Sequence, residues 1–443
     1  MPIQLSDHFT FGRLLRFTAP TVAMMIFTAV YGIVDGLFVS NCAGATPFAA
    51  LNLIFPLSVM LGAIGYMLGT GGAALVAKTL GEGDGARANG LFSFLVLATV
   101  VAGVVCGAVG VAITEPVARL LGATGELLEC SVLYGRILCA GVPFVILQYA
   151  FQSFLATAGR PKVGFAVVCA AGVTNIVLDW LLVAELGLGL AGAGAATVVG
   201  QAIAGLVPVA YFSRPNSSLL AFTRPLVEWR ALGRACLNGA SELVVNLAQS
   251  LVVMLYNYQL MRLYGQVGVS AYGIVDYVSW TFTAIFLGYA TGAAPLVGFN
   301  FGAQNRAELR SLLRKSLVIV GVAGVVLTVA AQLLARPVAT LFVGYDAEVW
   351  ELTVRALRVY TVAFLIMGFN IFGSSFFTAL NNGVVSAAIS FMRTLVFQIG
   401  AVLVMPALFG ADAIWGAVIV GEACSLVVTA WFFVTMRTRY GYA

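Results

Sequence analysis

Three polar residues set in apolar surroundings carry the chemistry this sequence offers. Asn175 and Asp179 stand one helical turn apart in GVTNIVLDWLLV, so on a helix both side chains point to the same side. Asp35 interrupts another apolar run, MMIFTAVYGIVDGLFV. A carboxylate at membrane depth costs about 3 kcal/mol on insertion scales, so one that is retained is a functional candidate. Together with Thr197 these residues supply oxygen donors only, which suits a proton or a hard monovalent cation and not a transition metal. Two carboxylates in a poorly polarisable helix bundle repel each other. At neutral pH one of them must hold a proton unless a cation lies between them. Such a cluster is a switch between a loaded and an empty charge state. The plainer alternative makes the same groups hydrogen-bonding contacts between helices.

The surrounding chain places these residues at membrane depth. Of 443 residues, 61% are hydrophobic and 9% charged, against roughly 25% charged in a soluble domain, and the mean hydropathy is +1.00. Apolar spans of membrane-crossing length fall near 17–40, 50–77, 91–113, 132–156, 163–184 and 191–212. After the polar break SRPNSSLLAFTRPLVEWR they resume near 235–261, 269–298, 314–335, 355–380, 384–408 and 413–435. The expected fold is an all-α polytopic membrane protein of twelve transmembrane helices in two six-helix bundles. The expected division is residues 1–212, a linker over 213–234, and residues 235–443.

Sixteen Lys and Arg residues fall in one set of loops and six in the other, with Arg393 inside a span, which predicts both termini in the cytoplasm. The net charge of +5 is spread over these short loops and does not suggest nucleic acid. Seven scattered Cys without CxxC spacing read as small packing residues. The single histidine, His8, makes histidine catalysis or a His-ligated metal improbable, and no enzyme or cofactor is expected. Gly187–Gly192 spells GxGxxG but joins two membrane helices, so it reads as a tight turn. Asn216-Ser-Ser spells a glycosylation sequon on the side read as cytoplasmic.

The two halves repeat. Thr70-Gly-Gly-Ala-Ala-Leu-Val…Gly81 matches Thr291-Gly-Ala-Ala-Pro-Leu-Val…Gly302, 221 positions on (291 − 70), and Ser153-Phe154 matches Ser375-Phe376. Six spans per half make the repeat parallel, about an axis along the membrane normal, with a cavity between halves. At nearly this offset Asp35 aligns with Tyr256, Asn175 with Phe397, Asp179 with Ala401 and Thr197 with Val418. The oxygen donors occur in the first half alone, which favours a specialised site over a shared architectural role.

Taken as a whole the chain resembles the multidrug and toxic compound extrusion (MATE) family of secondary transporters, and within it most the bacterial MepA-type branch. The resemblance rests on the six-plus-six repeat, the Pro20…Asp35 first helix, TGGAALVAKTLGEGD, GASELVVNLAQSLVVMLYNYQL and GYATGAAPLVGFNFGAQN. It implies export of bulky cationic or amphipathic compounds driven by inward Na+ or H+. It also implies that Asp35, Asn175, Asp179 and Thr197 form the coupling site, binding Na+ if sodium is the ion, and that Pro20 bends the first helix. The chain departs from vibrio-type members, whose cation site is assigned to acids of the second bundle; here that bundle's acid is Glu242.

Candidate substrate contacts are Glu242, Tyr31, Tyr256, Met25, Gln148, Asn246 and Asp276, with Met24, Phe27 and Gln249 on the same helices. Aromatic and Met side chains would give adaptable apolar contact and cation–π attraction, although ordinary packing explains any single one. Glu422 and Arg393 are expected to pair. The expectation is thus an antiporter of the bacterial cytoplasmic membrane, monomeric and in contact with lipid. It would exchange small organic cations for H+ or Na+ without hydrolysing ATP, since no Walker motif is present. The alternative is a flippase for lipid-linked oligosaccharide or another polar lipid, which calls for a groove lined by several Lys or Arg.

Overall fold

In the computed structural model the described residues are 5, 7–38, 45–344 and 346–442, with the side chains of 32–38, 45, 46, 48 and 49 outside the description. Among them the chain is helical, without strands. The first half comprises α1 (Phe11–Phe38), α2 (Ala45–Gly81), α3 (Gly85–Leu120), α4 (Gly125–Thr157), α5 (Pro161–Glu185) and α6 (Gly189–Ser213). The second comprises α7 (Trp229–Gly302), α8 (Arg306–Val343), α9 (Ala347–Ala379), α10 (Gly383–Phe409) and α11 (Ala411–Thr435), ending in the short α12 (Arg437–Tyr440). Eleven helices among the described residues are long and apolar enough to cross a membrane. The expected pair near 235–261 and 269–298 forms one 74-residue helix broken at Gly265 (φ 61°, ψ −146°). Tyr256 and Tyr272, on either side of the break, stack with centroids 4.7 Å apart, so the chain doubles back at Gly265 and crosses twice. Only glycine adopts that backbone cheaply. Twelve crossings result, and both ends of the chain return to one face, here called the terminal face.

The repeated segments identified in the sequence meet each other at the terminal face. A Cβ added at Gly81 would lie 1.9 Å from the carbonyl oxygen of Phe299, and one at Gly302 would lie 2.0 Å from that of Lys78. These are equivalent contacts, since 302 − 81 and 299 − 78 are both 221. A second close crossing pairs Gly71 with the Ala235 carbonyl (2.0 Å) and Gly239 with that of Met67 (1.9 Å). Its repeat is Gly292 on α7 against Thr18 of α1, 3.2 Å from the Cα. Backbones approach this closely only through residues without side chains, as membrane helices do. The halves are thereby sealed together on the terminal face.

Two connections reinforce the seal. The segment before α1 docks on the second half: Leu5 and Phe9 are buried in its core, the Phe9 amide donates to Glu308 Oε1 at 2.9 Å, and His8 Nδ1 lies 2.6 Å from Glu308 Oε2. Lys315 Nζ donates to the Phe9 carbonyl. The linker after α6, for all its polarity, is fixed against the first half. Leu226 N donates to the Gly90 carbonyl at 3.0 Å, Thr223 N to Ser93 Oγ at 3.0 Å, Phe222 stacks on Phe92 at 5.1 Å, and Arg160 donates to Ser217.

Candidate functional site

A cavity of about 260 Å³ lies between the halves, above the glycine seal. Its wall repeats with the sequence: Met25 and Asn246, Thr28 and Gln249, Thr70 and Thr291, and Val59 and Trp280 each stand 221 positions apart and all line it. The pseudo-two-fold axis therefore passes through the cavity. The charges break this symmetry. Glu242, Asp276, Arg393 and Glu422 all line the cavity, all come from the second half, and no charged residue of the first half joins them among the described residues.

The Arg393–Glu422 pair expected from the sequence is present. Arg393 donates to Glu422 Oε1 through Nη2 at 2.7 Å and Nε at 2.9 Å. Asn370 Nδ2 donates to Glu422 Oε2 at 2.7 Å, and Thr429 Oγ1 donates to Asn370 Oδ1 at 2.9 Å. The Glu422 side chain is 3% and that of Arg393 15% exposed. This pair neutralises itself, which leaves Glu242 and Asp276, both acids, as the other ionisable carboxyl groups on the cavity wall among the described residues.

The second polar cluster lies inside the first half. Asp179 is fully buried and Asn175 nearly so, and Asn175 Nδ2 donates to Asp179 Oδ2 at 3.2 Å. Asp179 is the last residue before α5 widens into π turns over Trp180–Glu185, where Leu186 N reaches back five residues to the Leu181 carbonyl. Wider turns of this kind frequently occur at functional sites. On α6, a Cβ at Gly200 would lie 3.2 Å from the Asn175 Cβ, and Thr197 stands one turn before Gly200. Thr197 Oγ1 donates to the Ala193 carbonyl at 3.0 Å, so its lone pairs stay available. Asp35 lies on α1, but its side chain falls outside the described residues. Pro20 sits in α1, whose helix continues on both sides of it.

Of the other candidates, Met25, Glu242, Asn246, Gln249 and Asp276 line the cavity. Tyr256 does not: it is fully buried in the second half and stacked on Tyr272, because its face of α7 turns toward the returning limb. Gln148 is likewise buried inside the first half and does not line the cavity. Tyr31 packs with Phe27 against the bare Gly172 of α5, and Met24 lies against Gly164, filling the α1–α5 interface. Sequence reasoning passed over Gln152, Tyr66, Trp280 and Tyr360. Gln152 is 4% exposed and lines the cavity, and both of its amide atoms are buried without a partner among the described residues. A buried amide left so is costly, which makes it a natural contact for a ligand or water. Ser153 and Ser375 both line the cavity, so the repeated Ser-Phe motif pointed one residue away from Gln152.

Comparison with known proteins agrees with this geometry. The chain is 24% identical over 441 residues to the multidrug export protein MepA of Staphylococcus haemolyticus, covering 97% of this chain and 94% of that protein. It is 25% identical over 429 residues to MepA of Staphylococcus saprophyticus, covering 94% and 92%. Among solved structures it superposes on a MATE transporter in complex with MaL6 (TM-score 0.91, 21% identity, 98% of this chain and 97% of that one). It also superposes on an outward-facing multidrug resistance MATE family transporter (TM-score 0.89, 23% identity, 96% and 95%). The MatE family model matches residues 20–181 and again residues 243–403. One family model thus fits twice, on opposite sides of a cavity whose walls repeat at the same interval, and the chain belongs to the MatE family.

Proposed function

We propose that this protein is a multidrug efflux antiporter of the bacterial plasma membrane, exporting organic cationic or amphipathic compounds in exchange for H+ or Na+. The observation that carries the reading is the separation of two acidic centres. Glu242 and Asp276 place two carboxyl groups on the wall of the cavity between the halves, while Asp179 and Asn175 are sealed inside the first half. The first set attracts a cationic amphiphile, with Trp280, Tyr66 and Met25 offering apolar and cation–π contact. The second set takes the coupling ion. A sodium ion would find the Asp179 carboxylate, the Asn175 amide oxygen and the Thr197 hydroxyl suitable hard donors, with Asp35 as fourth ligand; a proton needs only a carboxylate. The names of the MepA relatives support the substrate class. A flippase for a lipid-linked pyrophosphate would need several free bases, whereas among the described residues the cavity holds Arg393 alone, committed to Glu422.

We take the terminal face to be cytoplasmic, as the loop charges imply, so that the glycine-sealed state is outward-open. The test is dye efflux from proteoliposomes with pH and Na+ gradients imposed independently. Accumulation driven by one gradient is expected and names the ion; flux indifferent to both would sink the antiport reading.

Alternation requires the seal to open and reform. Gly81→Val would drive a side chain into the Phe299 carbonyl, which even a Cβ would approach to 1.9 Å, while leaving packing inside each half intact. Reversing a 99:1 population takes about 5.5 kcal/mol, which a backbone clash of this severity supplies. In a cysteine-free background, Thr291→Cys should become reactive to an impermeant maleimide from the terminal face, and export should fall at least about tenfold. Gly273→Ala, which meets nothing within 4 Å, is the control expected to leave both unchanged.

A further inference from the structure

A second recess, of about 310 Å³, opens on the terminal face where the two halves meet. One wall is the end of α2, with Lys78 and Glu82. The other is built by the second half, with Phe301, Gln304, Arg306 and Arg439. Three cations thus converge on one acid. Lys78 and Glu82 are 3.6 Å apart, a loose contact between half-exposed side chains. Arg306 and Arg439 have no carboxylate partner among the described residues. The Lys78 ammonium lies 5.6 Å from the centroid of the Phe301 ring, and the Arg439 guanidinium 5.6 Å from that of Tyr440, so aromatic faces hold both cations in place. Loop cations that only set topology face open water; nothing about topology requires three of them to share a recess.

An independent observation comes from the repeat. The turn before α3 uses Gly83 at φ +85°; 221 positions on, the turn before α8 holds Gln304 at φ +54°. A second pair, 222 positions apart (381 − 159), is Gly159 (φ +71°) and Asn381 (φ +56°). L-residues with side chains disfavour this conformation, and at both places the other half shows that glycine serves the turn. The Asn381 side chain repays the strain by donating to the Ala74 carbonyl at 3.2 Å, across the junction of the halves. The Gln304 side chain has no such bond among the described residues, and it lines the recess.

We propose that this recess binds a phosphate-bearing anion. Arg306 and Arg439 offer planar forks suited to phosphate oxygens, Lys78 a point charge, and Gln304 a neutral donor. Because α2 supplies one wall and the second half the other, the site is complete only while the halves are joined at Gly81 and Gly302. Its occupant therefore stabilises that state by mass action. The phosphate comes either from an anionic phospholipid headgroup or from a soluble compound. The site is independent of coupling at Asp179, and its test does not read transport.

The test is the unfolding midpoint of the purified full-length chain in detergent, titrated with dioctanoyl-phosphatidylglycerol, with dioctanoyl-phosphatidylcholine and with pyrophosphate. A saturable rise with one or both of the anionic probes is expected, at least about tenfold weaker in apparent affinity for Arg306→Gln/Arg439→Gln. A rise with phosphatidylglycerol alone assigns the site to lipid, and a rise with pyrophosphate as well assigns it to soluble phosphates. Gln304→Gly removes the strained side chain without threatening the fold, and should show an equal or higher midpoint without anion and a smaller shift with it. The proposal is overturned by no saturable shift with either anion, by an equal shift with phosphatidylcholine, or by a shift undiminished in the variants. Should the double variant fail to fold, an undiminished shift in Gln304→Gly alone overturns it.

Discussion

Asp179→Asn is expected to abolish gradient-driven accumulation while leaving the fold and the cavity in place. The substitution preserves volume and lets an amide meet Asn175 where a carboxylate did at 3.2 Å, so the α5–α6 packing around Gly200 has no reason to change. What it removes is a group that can exist with and without charge. Exchange of one cationic dye for one H+ or Na+ moves no net charge, so the ion gradient drives it. Each tenfold in that gradient supplies about 1.4 kcal/mol, or roughly tenfold accumulation. With an ion gradient and no membrane potential imposed, the variant should therefore equilibrate a cationic dye across proteoliposomes to a ratio near one, while fluorescence quenching reports dye binding close to wild type. Retained binding with lost accumulation separates coupling from recognition. Accumulation that survives in Asp179→Asn, and equally in Asp35→Asn, would make the cluster structural and end the coupling proposal.

The second large effect concerns stability. Glu422→Ala leaves the Arg393 guanidinium without its carboxylate and Asn370 with only the backbone carbonyl of residue 422 as acceptor at 2.9 Å, inside a wall where Glu422 had been 3% exposed. Breaking a buried pair by removing one partner costs about 3–5 kcal/mol, whereas replacing both partners by apolar groups of similar size is often nearly neutral. Glu422→Ala should lower the unfolding midpoint markedly, and Arg393→Met/Glu422→Leu should recover most of the loss. If the single and double variants unfold alike, the two residues are not energetically coupled, and the cavity charge must be recounted with Arg393 as a free cation.

Recognition of the cavity shows how far a repeat can carry a reading. The matched Thr70 and Thr291, and Ser153 and Ser375, were visible as a sequence repeat, and all four line the cavity. A pseudo-two-fold axis must lie between equivalent segments, so residues repeated in polar form near it are those the axis brings together. Tyr256 illustrates the limit. It shares α7 with Asn246 and Gln249, but the reversal at Gly265 folds a second limb over its face and stacks Tyr272 on it. Which face of a helix meets the cavity depends on where the chain returns. Glu242, Asn246 and Gln249 recur at helical spacing and do line the cavity, but the same spacing carries that stripe on to Tyr256, and only the returning limb shows where it stops.

The sequence by itself determined the crossings, the parallel repeat, the buried Asn175–Asp179 turn and the partnership of Arg393 with Glu422. Each follows from local rules: apolar length against bilayer thickness, helical spacing, and the cost of an unpaired charge away from water. The tertiary structure decided what depends on the meeting of distant segments. Among the described residues it set the glycine seal on the terminal face, gathered every cavity charge onto the second half, buried Tyr256 and Gln148, left the Gln152 amide without a partner, and drew Lys78, Arg306 and Arg439 into one recess. Lipid rewards no particular helix face with burial, so close packing between small residues fixes these arrangements, and only the assembled helices reveal it.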